Sequence, residues 1–280
     1  MKMKKKALTL CLAVALAATA VVGGTMAYFT DTDKAVNVFT FGNVKIRQDE
    51  WQRDPKTEAI EAFEDDKNVF PAVLSKLHKG DITVDGYSFK IRSLEGNYVD
   101  KIVNVTNEGT EKAYVRTIIA VPSMNGYDDS LNATENPLHW NYLDASDFNG
   151  TGWDWNGSND GAFDPTTDKV ADVNIDGVLY DLYIATYNAP LDAGATTSPS
   201  MVGFYLDDDV DCDENGYFSM QDGKRIDLSK YMKAGQDGKV TMEILVATQA
   251  CQTEGFADAW EALDTCFGDI TKDNNPWINN

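Results

Sequence analysis

The fold class of this chain is decided by residues 98–122, YVDKIVNVTNEGTEKAYVRTIIAVP. β-Branched and aromatic residues are frequent on both sides of Asn107-Glu108-Gly109-Thr110, a turn-forming segment. Two such runs joined by a short turn are typical of a β-hairpin. Pro122 ends the second run, since proline cannot donate a main-chain hydrogen bond to a sheet. The stretch therefore predicts a hairpin with strands over 98–106 and 112–121.

Further strand patterns recur on both sides of this stretch. A strand pair or a single bent strand is predicted over 82–94 around Asp85-Gly86, and a strand pair over 169–188 around Asp176-Gly177. Single strands are predicted over 201–206 and 239–249, where β-branched residues are dense. The chain is thus expected to be built from many short strands.

One amphipathic helix is predicted to begin at Gly255, near the C-terminus, with Thr253 or Asp258 near its start. Its apolar residues recur at helical spacing and form a single stripe, which consists of Phe256, Trp260, Leu263 and Phe267. Gly268 is a suitable C-terminal cap. We expect this stripe to pack against the sheet rather than against a partner helix.

Together these elements predict a mostly-β chain, an antiparallel jelly-roll-like β-sandwich with long loop insertions and one C-terminal amphipathic helix. Residues 28–280 are expected to form a single domain. Residues 124–168 form an insertion rich in Asn, Asp and Gly, which carries Trp140, Trp153 and Trp155. These tryptophans either stack on sugar rings or pin the insertion to the body, and packing is the preferred interpretation.

The first 27 residues have the three parts of a secretory signal peptide. Lysines at the start are followed by an apolar run over 8–22 and by Thr25-Met26-Ala27, whose small residues suit a signal peptidase. We predict cleavage between Ala27 and Tyr28, and a secreted protein with no membrane attachment after cleavage. The alternative is a retained membrane anchor, for which the apolar run is short.

The charge of the chain limits its partners. It has 45 acidic and 24 basic side chains, a net charge of −21, and four of the lysines lie before residue 7. Such an acidic protein is not expected to bind nucleic acid or an anionic membrane surface. The charge suits a secreted protein that binds cations, although solubility alone would also explain it.

Three cysteines follow the leader, Cys212, Cys251 and Cys266. Three is not the even number expected of a disulfide framework. Cys251 and Cys266 flank the predicted helix and could pair, or they could be small buried apolar residues, which is the preferred interpretation.

A candidate calcium loop lies between residues 211 and 222. Oxygen-bearing side chains occupy positions one, three, five, nine and twelve of a calcium-loop pattern, and they are Asp211, Asp213, Asn215, Ser219 and Asp222. Gly216 stands at position six, where such loops turn sharply. The alternative is a solvated acidic hairpin loop. Calcium is the one cofactor that the sequence suggests.

No catalytic residue can be assigned from the sequence. The two histidines, His78 and His139, lie far apart and outside any His-Glu-x-x-His pattern, and no serine lies in a Gly-x-Ser-x-Gly context. We therefore predict that the protein is not an enzyme.

Residues 22–44, VGGTMAYFTDTDKAVNVFTFGNV, resemble the leader and mature start of the TasA/camelysin family, which is processed by a SipW-type signal peptidase. Residues 98–122, 178–201 and 243–268 are similar to that family as well. The resemblance implies a jelly-roll sandwich that is secreted to the cell surface or extracellular matrix. It also implies assembly into biofilm-matrix fibres with other copies of the chain or related subunits.

In such fibres the freed N-terminal segment of one subunit completes the sheet of the next. The expected donor is residues 28–46, where strand-forming side chains alternate. Its expected anchors are Val36, Val38, Phe39, Phe41, Val44 and Ile46. The alternative is that this strand pairs within its own sheet. Two rival functions are a calcium-dependent carbohydrate-binding adhesin and, as for some relatives, a secreted metalloprotease.

Overall fold

The computed structural model describes residues 27–29, 37–41, 44–54, 57, 59–63, 67–69, 81–84, 87–90, 98–123, 138–155, 163–165, 167–206, 210–213, 216–221, 224–228, 233–234 and 240–278. In this part the chain is mostly β, with several antiparallel sheets and one α-helix. The fold class that the sequence predicts is confirmed at this level, and the jelly-roll connectivity stays a prediction.

The described strands, in chain order, are β1 (Ala27–Phe29), β2 (Asn37–Phe41), β3 (Ile46–Arg53), β4 (Ile60–Ala62), β5 (Lys67–Val69), β6 (Asp81–Val84), β7 (Tyr87–Lys90), β8 (Tyr98–Asn107), β9 (Ala113–Pro122), β10 (Leu138–Tyr142), β11 (Trp153–Asp154), β12 (Val170–Ile175), β13 (Val178–Tyr187), β14 (Met201–Leu206), β15 (Val210–Asp213), β16 (Gly216–Gln221), β17 (Lys224–Asp227), β18 (Lys233–Ala234), β19 (Val240–Met242) and β20 (Leu245–Gln252). The helix α1 spans Ala259–Phe267. A 3-10 turn covers Ala145–Phe148.

Two sheets form the body of the protein. The five-stranded sheet has the order β10-β14-β8-β3-β4, and the six-stranded sheet has the order β11-β13-β9-β20-β2 with β12 also paired to β13. All of these pairs are antiparallel except β2 with β20, which is parallel. Three smaller sheets contain β18-β19-β1-β5, β15-β16-β17 and β6-β7.

One hydrophobic core lies between the two large sheets. Val103 and Met201 of the five-stranded sheet are fully buried in the same cluster as Val115 and Ala250 of the six-stranded sheet. Side chains from two sheets that share one core define a β-sandwich. The outer face of the six-stranded sheet is covered in part by α1, which packs on β9 and β20.

The predicted hairpin over 98–122 is wrong in its pairing, although both strands exist. β8 belongs to the five-stranded sheet and β9 to the six-stranded sheet, so the turn between them connects the two layers. Residues that follow β13 take the main-chain bonds that would have closed a hairpin. Asn107 N donates to Ala195 O at 2.9 Å, and Leu191 N donates to Ala113 O at 2.8 Å.

Three other predictions of strand structure are confirmed. β12 and β13 form a hairpin around Asp176 and Gly177, whose φ angles of 50° and 88° suit a tight two-residue turn. β6 and β7 pair on either side of residues 85–86, and β14 has the predicted limits. The predicted strand over 239–249 is divided instead, because β19 pairs with β1 while β20 enters the sandwich.

The helix is confirmed; it begins after Gly255, and Asp258 rather than Thr253 lies at its start. The Asp258 side chain caps it by accepting a hydrogen bond from Glu261 N at 2.9 Å, and Ala259 is the first helical residue. Gly268, with φ of 75°, ends it and donates its N–H to Asp264 O at 2.8 Å. The apolar stripe packs against Tyr114 and Cys251 of the six-stranded sheet, as expected.

The segment 124–168 contributes to both sheets rather than standing outside them. β10 pairs with β14 in the five-stranded sheet, and β11 pairs with β13 in the six-stranded sheet. Trp153 and Trp155 are 0% and 3% exposed. Packing is therefore confirmed as the role of these two tryptophans.

Candidate functional site

The N-terminal strand β2 forms one edge of the six-stranded sheet. It pairs in parallel with β20, in a register that sets Asn37 opposite Ala247 and Phe41 opposite Cys251. The other side of β20 pairs antiparallel with β9. Within the described residues, β2 is thus the element that covers the outer main-chain groups of β20.

The predicted donor anchors are divided between the two sheets. Val38, Phe39 and Phe41 lie in β2, which the backbone pairing defines. Val44 packs half-buried against the sandwich core, and Ile46 opens β3 with 6% exposure. Val36 lies outside the described residues. The chain therefore crosses from one sheet to the other between Phe41 and Ile46.

The start of β3 is fastened to the body by charge. Glu108, at the turn between β8 and β9, accepts contacts from Lys45 Nζ at 2.9 Å and from Arg47 Nη1 at 2.7 Å. The hydrogen bond and charge of Lys45, followed by those of Arg47, hold the pKa of Glu108 below its usual value. These contacts mark the boundary between the N-terminal strand β2 and the sandwich body.

A buried side-chain hydrogen bond joins β20, the strand that pairs with β2, to β3 of the other sheet. Thr248 Oγ1 of β20 donates a hydrogen bond to Gln48 Oε1 of β3 at 2.6 Å, and both residues are buried. Thr248 is also the residue paired with Val38 of β2. The strand that receives β2 is therefore fixed to the opposite sheet through its own side chain.

The outer face of β20 is fixed by Arg116 of β9. The Arg116 Nε donates to Gln249 Oε1 at 2.6 Å, and its two terminal nitrogens donate to Asp264 Oδ1 and Gly268 O, each at 2.8 Å. Burial lowers the pKa of this guanidinium, and the Asp264 carboxylate opposes that effect. Side-chain hydrogen bonds thus hold β20 on both faces of the sheet. Of its two edges, one pairs with β9 and the other pairs with β2.

The predicted cleavage position lies in a paired strand. Ala27 and Tyr28 belong to β1, which pairs in parallel with β19 and antiparallel with β5. Cleavage between them stays a prediction. It would leave β1 and β2 at the free end of the chain.

The candidate calcium loop contains a β-hairpin. Asp211 and Asp213 lie in β15, Ser219 lies fully buried in β16, and the register sets Asp213 opposite Gly216. Asn215 and Asp222 fall outside the described residues. A ladder this tight differs from the open twelve-residue loop of a helix-flanked calcium site. Calcium binding stays a prediction.

Trp140 packs into a cluster of aromatic rings. Its neighbours are Tyr142, Trp155, Phe163 and Tyr183, with ring centroids 4.8 to 6.4 Å apart. Edge and tilted contacts of this kind stabilise a core. Of the three tryptophans considered for sugar stacking, Trp140 alone retains part of its surface.

The described residues contain no cluster of three or more His, Cys, Asp or Glu side chains arranged to hold a metal ion. His139 lies half-buried in β10, and His78 is outside the described part. Among the helices that the structure describes, none has the length and apolarity needed to cross a bilayer.

Comparison with known proteins points to the same N-terminal region. The profile of the camelysin metallo-endopeptidase family matches residues 2–54. The resemblance to the TasA/camelysin family is confirmed for this region. The matched region contains most of the predicted leader together with β1, β2 and β3, and it ends one residue after Arg53. No curated protein and no solved structure matches the chain.

Sequence reasoning identified the strand β2 but missed its partner. Parallel pairing requires no turn between the two strands, so the approach of β2 to β20 leaves no local signal. The contacts of Gln48 with Thr248 and of Arg116 with Gln249 join residues more than 130 positions apart. Nothing in the residue pattern near either position indicated them.

Proposed function

We propose that this protein is a secreted structural protein of the bacterial surface or biofilm matrix, which assembles into fibres by exchange of its N-terminal strand. In the fibre, β2 of one copy occupies the β20 edge of the next copy. The observation that carries this proposal is the position of β2, a strand near the N-terminus that lies at a sheet edge. It is in parallel register with β20, whose contacts with Gln48 and Arg116 do not involve β2.

The physical argument rests on the boundary between β2 and the body. β3 is held mainly by its ladder with β8, to which the exposed ion pairs of Lys45 and Arg47 with Glu108 add little, so it stays when β2 leaves. An edge strand that leaves exposes the main-chain groups of β20, which a strand of another copy can satisfy. Addition in one direction does not close on itself, and so it yields filaments.

The family match supports the proposal because it is confined to the N-terminal part of the chain. It covers most of the predicted leader together with β1, β2 and β3 and ends before the rest of the sandwich. Export would release the segment that begins at Tyr28, and that segment carries the exchanging strand.

The test compares a chain that starts at Tyr28 with one that starts at Val44, just before β3. Negative-stain microscopy should show filaments from the first and monomers from the second, and circular dichroism should confirm that the second retains its β-structure. A synthetic peptide of residues 28–43 should bind the shortened chain, whereas a scrambled peptide should not. Filaments formed by the shortened chain would contradict strand exchange. So would a shortened chain that is folded but does not bind the peptide.

The family match also favours a second candidate, a secreted metallo-endopeptidase. This function needs residues that bind a catalytic metal and activate water. The test is casein cleavage by protein purified to homogeneity, with and without a chelator. Cleavage that persists in the presence of the chelator, or that disappears on further purification, would contradict this function.

A further inference from the structure

Cys251 and Cys266 lie together under the helix on the outer face of the six-stranded sheet. Cys251 is fully buried in β20, and Cys266 is half-buried in the last turn of α1. Both belong to one apolar cluster with Ala262 and Leu263, and their thiols lie near enough for each to affect the ionisation of the other. The third cysteine after the leader, Cys212, lies in β15 of a different sheet.

We propose that Cys251 and Cys266 form a disulfide in the exported protein, and that this bond fastens the strand β20 to the helix α1. The bond closes a loop of about 15 residues, a length for which a disulfide measurably restricts the unfolded chain. The proposal goes beyond fibre assembly and does not depend on it.

Non-covalent contacts already hold the two cysteines in place. Arg116 of β9 donates hydrogen bonds to Gln249 of β20 and to Asp264 of α1, on the same outer face of the sheet. Its guanidinium carbon also lies 5.9 Å from the ring centroid of Phe267, next to Cys266. Because the reduced protein holds the helix against the strand, oxidation requires no large movement of either element.

The environment of the thiols favours one order of events. The pKa of Cys251 is raised to about 12, mainly by burial and in smaller part by the proximity of Cys266, while Arg116 opposes the shift. Cys266 is the more exposed of the two and is therefore the one that meets an external oxidant first. Once its sulfur is bonded to another group, it no longer opposes the ionisation of Cys251.

The chemistry balances with a small disulfide such as glutathione disulfide as the oxidant. The Cys266 thiolate attacks the oxidant, forms a mixed disulfide and releases one thiol. Cys251 then loses its proton, attacks the Cys266 sulfur and displaces the second thiol. Two electrons and two protons pass from the protein to the oxidant, whose sulfur–sulfur bond is broken.

The bond would act on the strand that β2 contacts. Cys251 is paired in register with Phe41 of β2, at the end of the parallel ladder. A covalent link from this residue to α1 fixes the C-terminal half of the β20 edge. Local opening of that edge then requires movement of the helix as well.

The test is peptide mapping of the full chain exported into the medium of a secreting host. Free thiols are blocked with N-ethylmaleimide in denaturant, and the protein is cut with trypsin without reduction. Residues 240–272 contain no Lys or Arg before Lys272, so both cysteines fall in one tryptic peptide. We expect this peptide to carry no label and to be lighter by about 2 Da than its reduced form, which corresponds to two hydrogen atoms.

A second digestion locates the bond. Cleavage after Glu254 and Glu261 separates the two cysteines, and the products should stay joined until a reductant is added. C212S should give the same linked peptides. Free thiols in this peptide, even after incubation with glutathione disulfide, would overturn the proposal, as would a bond from either residue to Cys212 or to a second copy.

Thermal unfolding supplies an independent readout. Reductant should lower the Tm of the exported protein and of C212S by roughly 5–10 °C. It should leave the Tm of C266S unchanged, since this variant retains the buried Cys251 but cannot form the bond. An equal response of C212S and C266S to reductant would contradict the assignment.

Discussion

Arg53 and Asp100 form a buried bidentate ion pair between β3 and β8. Arg53 Nε and Nη2 lie 2.7 and 2.9 Å from the two carboxylate oxygens of Asp100, and the Arg53 main-chain N–H donates to the same carboxylate at 3.0 Å. The two side chains are 5% and 1% exposed. This pair fastens the end of the family-matched N-terminal region to the sandwich.

Removing the Asp100 carboxylate should strongly destabilise the fold. D100A removes the bidentate carboxylate partner of the buried Arg53 guanidinium, and we expect a loss of about 3–5 kcal/mol in the free energy of unfolding. Urea unfolding followed by circular dichroism measures it. K112A is the control, because Lys112 and Asp192 form an exposed pair and its loss should leave the unfolding midpoint unchanged. A midpoint for D100A equal to that of K112A would contradict the prediction.

The strands could be predicted from the sequence more readily than their partners. Within 98–122 the dense β-branched residues indicate two strands, and both exist as β8 and β9. Residue patterns do not specify which strand receives the main-chain hydrogen bonds. Those at Asn107 and Ala113 go to Ala195 and Leu191, which lie more than 75 residues further along the chain.

The candidate site shows the same limit. β2 has the residues of a strand and was identified as one, whereas its parallel contact with β20 depends on the path of the whole chain. Charged residues within strands were equally uninformative. Asp100 and Arg116 are charged and yet buried, because each meets a partner from a distant segment that the local sequence does not indicate.

Arg116 should control the attachment of α1 to the sheet. R116M removes the hydrogen bonds to Gln249, Asp264 and Gly268 while keeping an unbranched apolar side chain. We expect a loss of about 2–4 kcal/mol in the free energy of unfolding, since these are buried or charge-assisted contacts. Hydrogen exchange of the α1 amides should accelerate more than exchange in β8.

The matched control for R116M is K272A, since Lys272 is an exposed cation near the same helix. It should leave both stability and exchange unchanged. R116K should recover only part of the loss, because one ammonium group cannot reproduce the planar fork of a guanidinium. If the α1 amides of R116M exchanged at the same rate as those of the wild type, the apolar stripe alone would hold the helix.

Two buried tyrosines should make the protein unstable at alkaline pH. Burial raises the pKa of Tyr180 and Tyr183 well above the ordinary value of 10, with smaller contributions from nearby carboxylates. Below pH 10 both phenols are protonated in the folded and unfolded states, so they cause no pH dependence. Above it the unfolded chain releases protons that the folded chain retains. Stability should then fall by about 1.4 kcal/mol per pH unit for each tyrosine.

Urea unfolding at several pH values between 8 and 11 measures this slope, and absorbance at 295 nm reports phenolate formation. Y180F removes one of the two groups, and the slope above pH 10 should become less steep. The double variant Y180F/Y183F should lose this contribution entirely. A slope that is the same in wild type and in the double variant would assign the alkaline transition to other groups.

The indole N–H of Trp153 should contribute to stability through a hydrogen bond, whereas the indole N–H of Trp260 should not. Trp153 Nε1 donates to Ser198 O at 2.7 Å inside the core, whereas the buried Trp260 Nε1 has no hydrogen-bond partner in the described part of the chain. W153F leaves the Ser198 carbonyl unsatisfied, and the expected cost is about 1–3 kcal/mol beyond the loss of ring volume. W260F loses ring volume without breaking a hydrogen bond, so urea unfolding of the two variants separates the polar contribution from packing. Equal losses would mean that Trp153 stabilises the sandwich through its ring alone.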